Sequence, residues 1–204
     1  MTRLIFGACA PVVNGRYAPE VTERPLRADA RRNRERVLAA AQEAFAAEGV
    51  SVPLDEIARR AGVGPGTVYR HFPTKEALFE AAMLDRIERM AERARAAASS
   101  AEPGAAFFEF LDRMVMEGAA KRDLAAALGP HDPATYAGPT AVMKDAIGEL
   151  LSRAQAAGAV RADIGIGDLM TLLQGHFLAM HAAGSDPGLR DRTFAVLADG
   201  LRHR

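Results

Sequence analysis

The stretch Leu54-Asp55-Glu56-Ile57-Ala58-Arg59-Arg60-Ala61-Gly62-Val63-Gly64-Pro65-Gly66-Thr67-Val68-Tyr69-Arg70-His71-Phe72 decides the fold. It reads as two short helices joined by a tight turn at Gly62. In the first, predicted over about 53–61, Leu54, Ile57, Ala58 and Ala61 recur on one helical face. Pro53 suits its first turn, where a missing N–H is no loss. The second starts near Pro65 and runs to His71, with Val68 and Phe72 facing inward and Pro73 closing it. Apolar anchors at Ile57, Ala58, Val63 and Val68 hold the two at a steep angle, and Ala58 is small where they cross. This is the layout of a helix-turn-helix, whose second helix enters the major groove of DNA. Thr67, Tyr69, Arg70 and His71 are left pointing outward, and all can hydrogen-bond to phosphates or base edges. The N-terminus of that helix offers backbone N–H groups to phosphate. Lys75, just beyond, is also placed for a phosphate. Two-helix hairpins are equally common as plain structural units, so spacing alone leaves both readings open.

Upstream, residues 28–48 carry Val37, Leu38, Ala41, Ala44, Phe45 and Glu48 at helical spacing, and Gly49 stops that helix. Residues 24–36 hold six arginines, Arg24, Arg27, Arg31, Arg32, Arg34 and Arg36, against Asp29 and Glu35. Residues 101–204 carry ten basic and thirteen acidic side chains. A basic front on a mildly acidic body suits a polyanion partner, although a charge run is also what a solvated helix face looks like. Residues 1–26, with Gly7, Pro11, Gly15, Pro19 and Pro25, show no helical period and are expected to be a disordered extension. The run Leu4–Val13 after Arg3 has some likeness to a short signal peptide or a lipobox ending at Cys9, but Gly7 and Pro11 interrupt it.

Composition narrows the rest. The 204 residues are 49% hydrophobic and 25% charged, with 26 basic and 26 acidic side chains, which is a globular balance. One cysteine excludes a disulfide scaffold. No apolar run reaches the roughly 18 residues of a membrane span. Sparse β-branched residues and abundant Ala, Leu, Arg and Glu predict an all-α chain. Thr74 caps a long helix to about Ala98, with Glu76 near its positive end. Further helices are predicted over about 105–118, 121–128, 138–156, 168–183 and 187–202. There is no Gly-x-Ser-x-Gly, P-loop, dinucleotide fingerprint or convincing nucleophile pair, so no enzyme is expected. No cofactor is expected either. His176 and His181 lie five apart, whereas a helical metal pair wants four, so no metal site is expected.

The run Ala58-x-x-Ala61-Gly62-Val63-x-x-Gly66-Thr67-Val68-Tyr69-Arg70-His71-Phe72-x-x-Lys75-Glu76-x-Leu78 resembles the signature of the tetracycline-repressor (TetR) family. The resemblance covers roughly residues 30–80. It implies a three-helix DNA-binding domain over 27–73 and a ligand-binding and dimerisation domain over 74–204, about nine helices in a homodimer. By position it implies phosphate contacts from Thr67, Tyr69, His71 and Lys75, and base reading from Pro65, Gly66 and Arg70. Arg27 and Arg31 would serve as an N-terminal arm, or as a basic tail attracting DNA without specificity. Gly64 stands where many members have a capping serine, and Val52 where a threonine often caps. Asp55 replaces a basic residue that some members use on a base. It would accept from a cytosine amino group or serve the helix dipole.

Beyond residue 80 no motif is sharp, and the resemblance supplies the roles. Phe107, Phe110, Met114, Met143, Ile147, Met170, Gln174, Phe177 and His181 are the candidate effector-binding residues, since Met and Phe suit an adaptable apolar cavity, and equally a plain core. Leu169, Leu172, Leu173, Met180, Leu189, Val196, Leu197 and Leu201 are the candidate dimer residues, on two helices that would pair with their symmetry copies as a four-helix core. The expected partners are a double-stranded, palindromic DNA operator, a small apolar or amphipathic effector and a second copy of the chain, with no membrane. The expected place is the cytoplasm, on the nucleoid. The expected activity is a ligand-responsive repressor. Two rivals stay open: a ligand-independent DNA-binding or architectural protein of the same fold, and an enzyme or carrier using the C-terminal pocket.

Overall fold

The computed structural model describes residues 23–118, 133–183 and 186–203. Among these the chain is all-α, with eight helices: α1 (Glu23–Glu48), α2 (Leu54–Ala61), α3 (Pro65–His71), α4 (Lys75–Ala98), α5 (Pro103–Gly118), α6 (Pro133–Ala156), α7 (Ile166–Ala183) and α8 (Pro187–Leu201). A single 3-10 turn, Gly49–Ser51, joins α1 to α2. The helix predicted over 121–128 lies outside the described residues, as does the extension up to residue 22.

Two boundaries differ from expectation. The first helix begins at Glu23 rather than about 28, so Arg24 and Arg27 are helical. Pro25 is no obstacle, because it falls in the first turn, where N–H groups have no intrahelical partner. Helix α6 begins at Pro133 rather than about 138 and carries Pro139 inside it. Pro133 opens the helix in the way Pro25 tolerates its own, and at Pro139 one backbone bond is missing.

The apolar side chains separate into two cores. The first gathers Val37, Leu38, Ala41 and Phe45 of α1 with Ile57, Ala58 and Val68 of α2 and α3, and with Leu78, Phe79 and Ala82 of α4. Phe45 and Phe79 meet edge to face at 5.7 Å, pinning α4 against α1. The second gathers Ala91, Ala94 and Ala98 of α4 with Phe107, Leu111, Ile147, Leu150, Leu169, Leu173 and Leu201. Helix α4, about 36 Å long by its 24 residues, therefore runs from one core into the other. Thr74 caps it, its hydroxyl accepting from the Ala77 N–H at 3.1 Å. At the far end, Val160 bridges antiparallel to Arg202. The Arg161 N–H donates to Leu201 at 3.0 Å and the His203 N–H to Ala159 at 3.1 Å. This ties the end of α8 to the loop after α6.

Candidate nucleic-acid interface

The turn between α2 and α3 closes on backbone geometry. Gly62 sits at φ +63°. Its N–H reaches the Arg59 carbonyl at 3.1 Å, and the Val63 N–H reaches Ala58 at 3.0 Å. That pair of bonds is a Schellman ending, which needs a residue free to adopt the left-handed conformation. Val52, which cannot cap, is instead buried in the first core. Pro53 starts α2 with its carbonyl, accepting from the N–H groups of Glu56 at 3.1 Å and Ile57 at 3.2 Å. Gly64 begins α3 without a side-chain cap, as its residue type requires. The Thr67 N–H bonds to the Gly64 carbonyl at 2.9 Å in its place.

Helix α3 is anchored from beneath by Val68 and Phe72, both buried. Pro65, Gly66, Tyr69, Arg70 and His71 are exposed on one side of it, and Thr67 is half-buried. Tyr69 is 47% exposed, unusual for a large ring. The charge of the nearby Asp55 carboxylate, with burial, raises the Tyr69 pKa. Asp55 therefore lies close to the exposed tyrosine of α3, a proximity that neither sequence reading supplied. Lys75 also differs from expectation. Its ammonium donates to the Val50 carbonyl at 3.0 Å and to Ser51 at 3.4 Å, bracing the 3-10 turn. A phosphate would share this group with the turn, since an ammonium has three donors.

Arginines surround the turn. Arg34 lies over the Phe72 ring at 5.7 Å. Arg36 binds the carbonyls at the end of α2. Arg59 and Arg60 both hold Glu56, lowering its pKa to about 2, chiefly through their hydrogen bonds. Arg60 also reaches Glu48 at 2.6 Å. Arg31 is exposed and 3.7 Å from Glu35. Arg27 belongs to α1. The bonds made by Arg36 are not signalled by a motif, since they reach from α1 to the end of α2 and its turn.

The effector candidates are dispersed. Phe107, Phe110, Met114 and Ile147 are buried in the second core, and Met143, Met170 and Phe177 pack half-buried at its edge. Gln174 is exposed, off that lining. The His181 side chain lies outside the described residues. One cleft, of about 610 Å³, is instead charged and lies between α1 and α4, lined by Arg32, Glu35, Arg36, Asp85, Glu88 and Arg89 among others.

The dimer candidates divide between two faces. Leu169, Leu173 and Leu201 are buried in the protomer's own core and present nothing to a second copy. Their stripe is wide enough to serve two directions, and sequence periodicity could not separate them. Met180 is buried, and Leu189 and Leu197 are half-buried. Leu172 is 46% exposed and Val196 73%, and Leu178, which the sequence reading missed, is 58% exposed. His176 was also missed as a core residue. It is buried with its Nε2 unpartnered among the described residues, edge-on to Phe177 and Phe194 at 6.1 and 6.4 Å. Burial lowers its pKa. Among the described residues no group of three His, Cys, Asp or Glu side chains could hold a metal ion, and no helix is long and apolar enough to cross a membrane.

Comparison with known proteins agrees with this geometry. Residues 37–82 match the family model of bacterial regulatory proteins, tetR family, and residues 102–203 match the C-terminal domain of SbtR-like transcriptional regulators. The regulator SrpR of Pseudomonas putida is 45% identical over 64 residues, which are 31% of this chain and 30% of SrpR. UidR of Escherichia coli is 38% identical over 71 residues, 34% of this chain and 36% of UidR. These matches span about a third of the curated relatives' length. Two solved structures are matched along nearly their whole length. A TetR transcription regulatory protein from Mycobacterium vanbaalenii is 45% identical, with TM-score 0.73, over 87% of this chain and 99% of that one. A TetR transcriptional regulator from Streptomyces coelicolor is 33% identical, with TM-score 0.71, over 83% of this chain and 98% of that one.

Proposed function

We propose, because the chain belongs to the TetR family of bacterial helix-turn-helix transcriptional regulators, that it binds a palindromic DNA operator as a homodimer and represses transcription until a small apolar or amphipathic molecule releases it. The observation that carries the reading is α3. A helix fixed from below by Val68 and Phe72 leaves Tyr69, Arg70 and His71 exposed, uncovered by any other described residue. One such helix spans too few base pairs for specificity, whereas a two-fold pair reads half-sites about 34–36 Å apart or a multiple of that.

The unpartnered faces of α7 and α8 support the dimer. Leu172, Gly175 and Ala179 lie on one stripe of α7, all exposed, and Val196 and Gly200 on one of α8. A Cβ at Gly175 or Gly200 would meet nothing within 4 Å, so both helices have room for close approach by a copy. Release follows if an effector favours a dimer whose α3 helices are wrongly spaced. DNA and effector then weaken each other's binding by the same factor. Such a protein works in the cytoplasm, on the nucleoid.

The test is a fluorescence-anisotropy titration of the full chain against a duplex it selects from a random-sequence library, at two salt concentrations. Tight binding that saturates at a dimer or a pair of dimers supports the reading. Weak, steeply salt-dependent binding to every duplex refutes operator recognition. One observation favours a ligand-independent regulator of the same fold: Phe107, Phe110, Met114 and Ile147 fill a core rather than line a described cleft. A screen of apolar acids and esters that never shifts operator affinity would select that second reading.

A further inference from the structure

We propose that Arg36 is a positioning residue for DNA recognition, setting the angle of α3 by holding the end of α2 without itself touching DNA. The inference rests on the DNA-binding reading above. A helix leaves its last four carbonyls without intrahelical partners. In α2 the Schellman bonds from Val63 and Gly62 occupy Ala58 and Arg59. The Ala61 and Gly62 carbonyls are taken by Arg36, which comes from a different helix. Its Nε donates to Ala61 at 2.9 Å and its Nη2 at 2.6 Å, and the same Nη2 donates to Gly62. Only a guanidinium offers several donors in one rigid plane for such a grip.

The placement gives the grip its effect. Arg36 immediately precedes Val37, where the buried stripe of α1 begins. It therefore links a packed part of α1 to the turn. From Gly62 only Val63 and Gly64 separate the turn from Pro65, the first residue of α3. Gly64 supplies no side-chain cap, so the start of α3 has no side-chain lock of its own. Val68 and Phe72 anchor the helix further along, but its start takes its direction from the turn, and the turn is held by Arg36. The carbonyls are near the surface, and water can replace the guanidinium there. Losing Arg36 should thus blur the angle of α3 more than it unfolds the domain.

The experiment uses the full chain, a duplex selected by the wild type from a random-sequence library, and one unselected duplex of equal length. Arg36→Ala, Arg36→Lys and, as a control for a phosphate contact, Arg31→Ala are compared by Kd over a salt series, with thermal unfolding alongside. Arg36→Ala is expected to weaken the selected duplex by about tenfold or more while leaving the unselected one within about twofold. The slope of log K against log salt should not change. Arg36→Lys should recover part of the loss, and it serves alone if the alanine variant does not fold. The proposal is overturned if both duplexes weaken together and the salt slope drops by about 1, since Arg36 would then be a phosphate contact. It is also overturned if the folded variants bind both duplexes as the wild type does and only the melting temperature falls. If the wild type selects no duplex at all, the DNA-binding reading itself has failed, a result visible before any variant is made.

Discussion

Two glycines, Gly62 and Gly66, should respond to the same substitution with opposite signs. Gly62 holds φ +63°, a conformation that costs an L-residue about 1–2 kcal/mol. A Cβ there would also meet Arg36 Nη2 at 3.1 Å, so the guanidinium must shift from its carbonyls, at about 1 kcal/mol more. Against this, Ala restricts the unfolded chain and returns about 0.4–1 kcal/mol. Gly62→Ala should therefore lower stability by about 1–2.6 kcal/mol. Gly66 lies inside α3, and a Cβ there meets nothing within 4 Å. Gly66→Ala should raise stability by about 0.5–1 kcal/mol, the usual gain of removing glycine from a helix. The assay is urea unfolding followed by helical circular dichroism, at one fixed protein concentration because a dimer's stability depends on it. DNA affinity should not follow stability. Gly66→Ala places a methyl group on the exposed face of α3 and should weaken the selected duplex although the fold is firmer. A Gly62→Ala protein as stable as the wild type would refute the assignment of the turn. A less stable Gly66→Ala protein would refute the open surroundings of α3.

Gly104→Ala should destabilise by about 1–3 kcal/mol, because its Cβ would lie 2.4 Å from the Ala159 Cβ and the start of α5 must move away from the loop after α6; a melting temperature equal to the wild type's would contradict that close approach. His176 has its pKa lowered by burial, so folding favours the neutral ring. Its contribution is intact above the unfolded value of 6.5 and is lost as pH falls below it, and His176→Leu should flatten the decline in melting temperature between about pH 7 and pH 5 relative to wild type. Leu172→Glu with Val196→Glu puts charges on exposed positions of α7 and α8, so the monomer should keep its helicity while sedimentation equilibrium shows loss of the dimer; a dimer that persists would move the interface elsewhere.

What the sequence made legible was local. The α2–α3 pair could be read because its information lies within nineteen consecutive residues: helical spacing, a left-handed Gly62 and an apolar Val68 beneath a polar surface. Those same features fix which of Thr67 to His71 face outward. What stayed hidden was long-range. Arg36 was one arginine of six until folding brought it to Ala61, 25 residues on. Lys75 read as a cation placed for a phosphate, and its bonds to the 3-10 turn showed only in the folded chain. The C-terminal half carried the opposite difficulty. Its apolar stripes are so wide that Leu169, Leu172 and Leu173 look alike in sequence, and only packing sends Leu169 and Leu173 inward and leaves Leu172 outside.

Helix α4 joins these two halves, and its chemistry changes along its length. Leu78, Phe79 and Ala82 are buried in the first core and Ala91, Ala94 and Ala98 in the second, but no residue from 83 to 90 is buried. Polar contacts there add to the half-buried packing of Met83 on the first core and Met90 on the second. The Gln42 amide donates to the Ala82 carbonyl and to Asp85, both at 2.8 Å, tying α4 to α1. The next residue, Arg86, donates to the Glu117 carbonyl at 3.3 Å, and Arg93 pairs with the Glu117 carboxylate at 2.7 Å, tying α4 to the end of α5. Neighbouring residues thus link the helix to the DNA-binding side and to the body. Surface ion pairs are worth about 0–1 kcal/mol each, whereas a buried Leu or Phe side chain contributes about 1.5–3 kcal/mol. A shift between the two halves should therefore strain the polar links at Asp85, Arg86 and Arg93 before it parts either packed core.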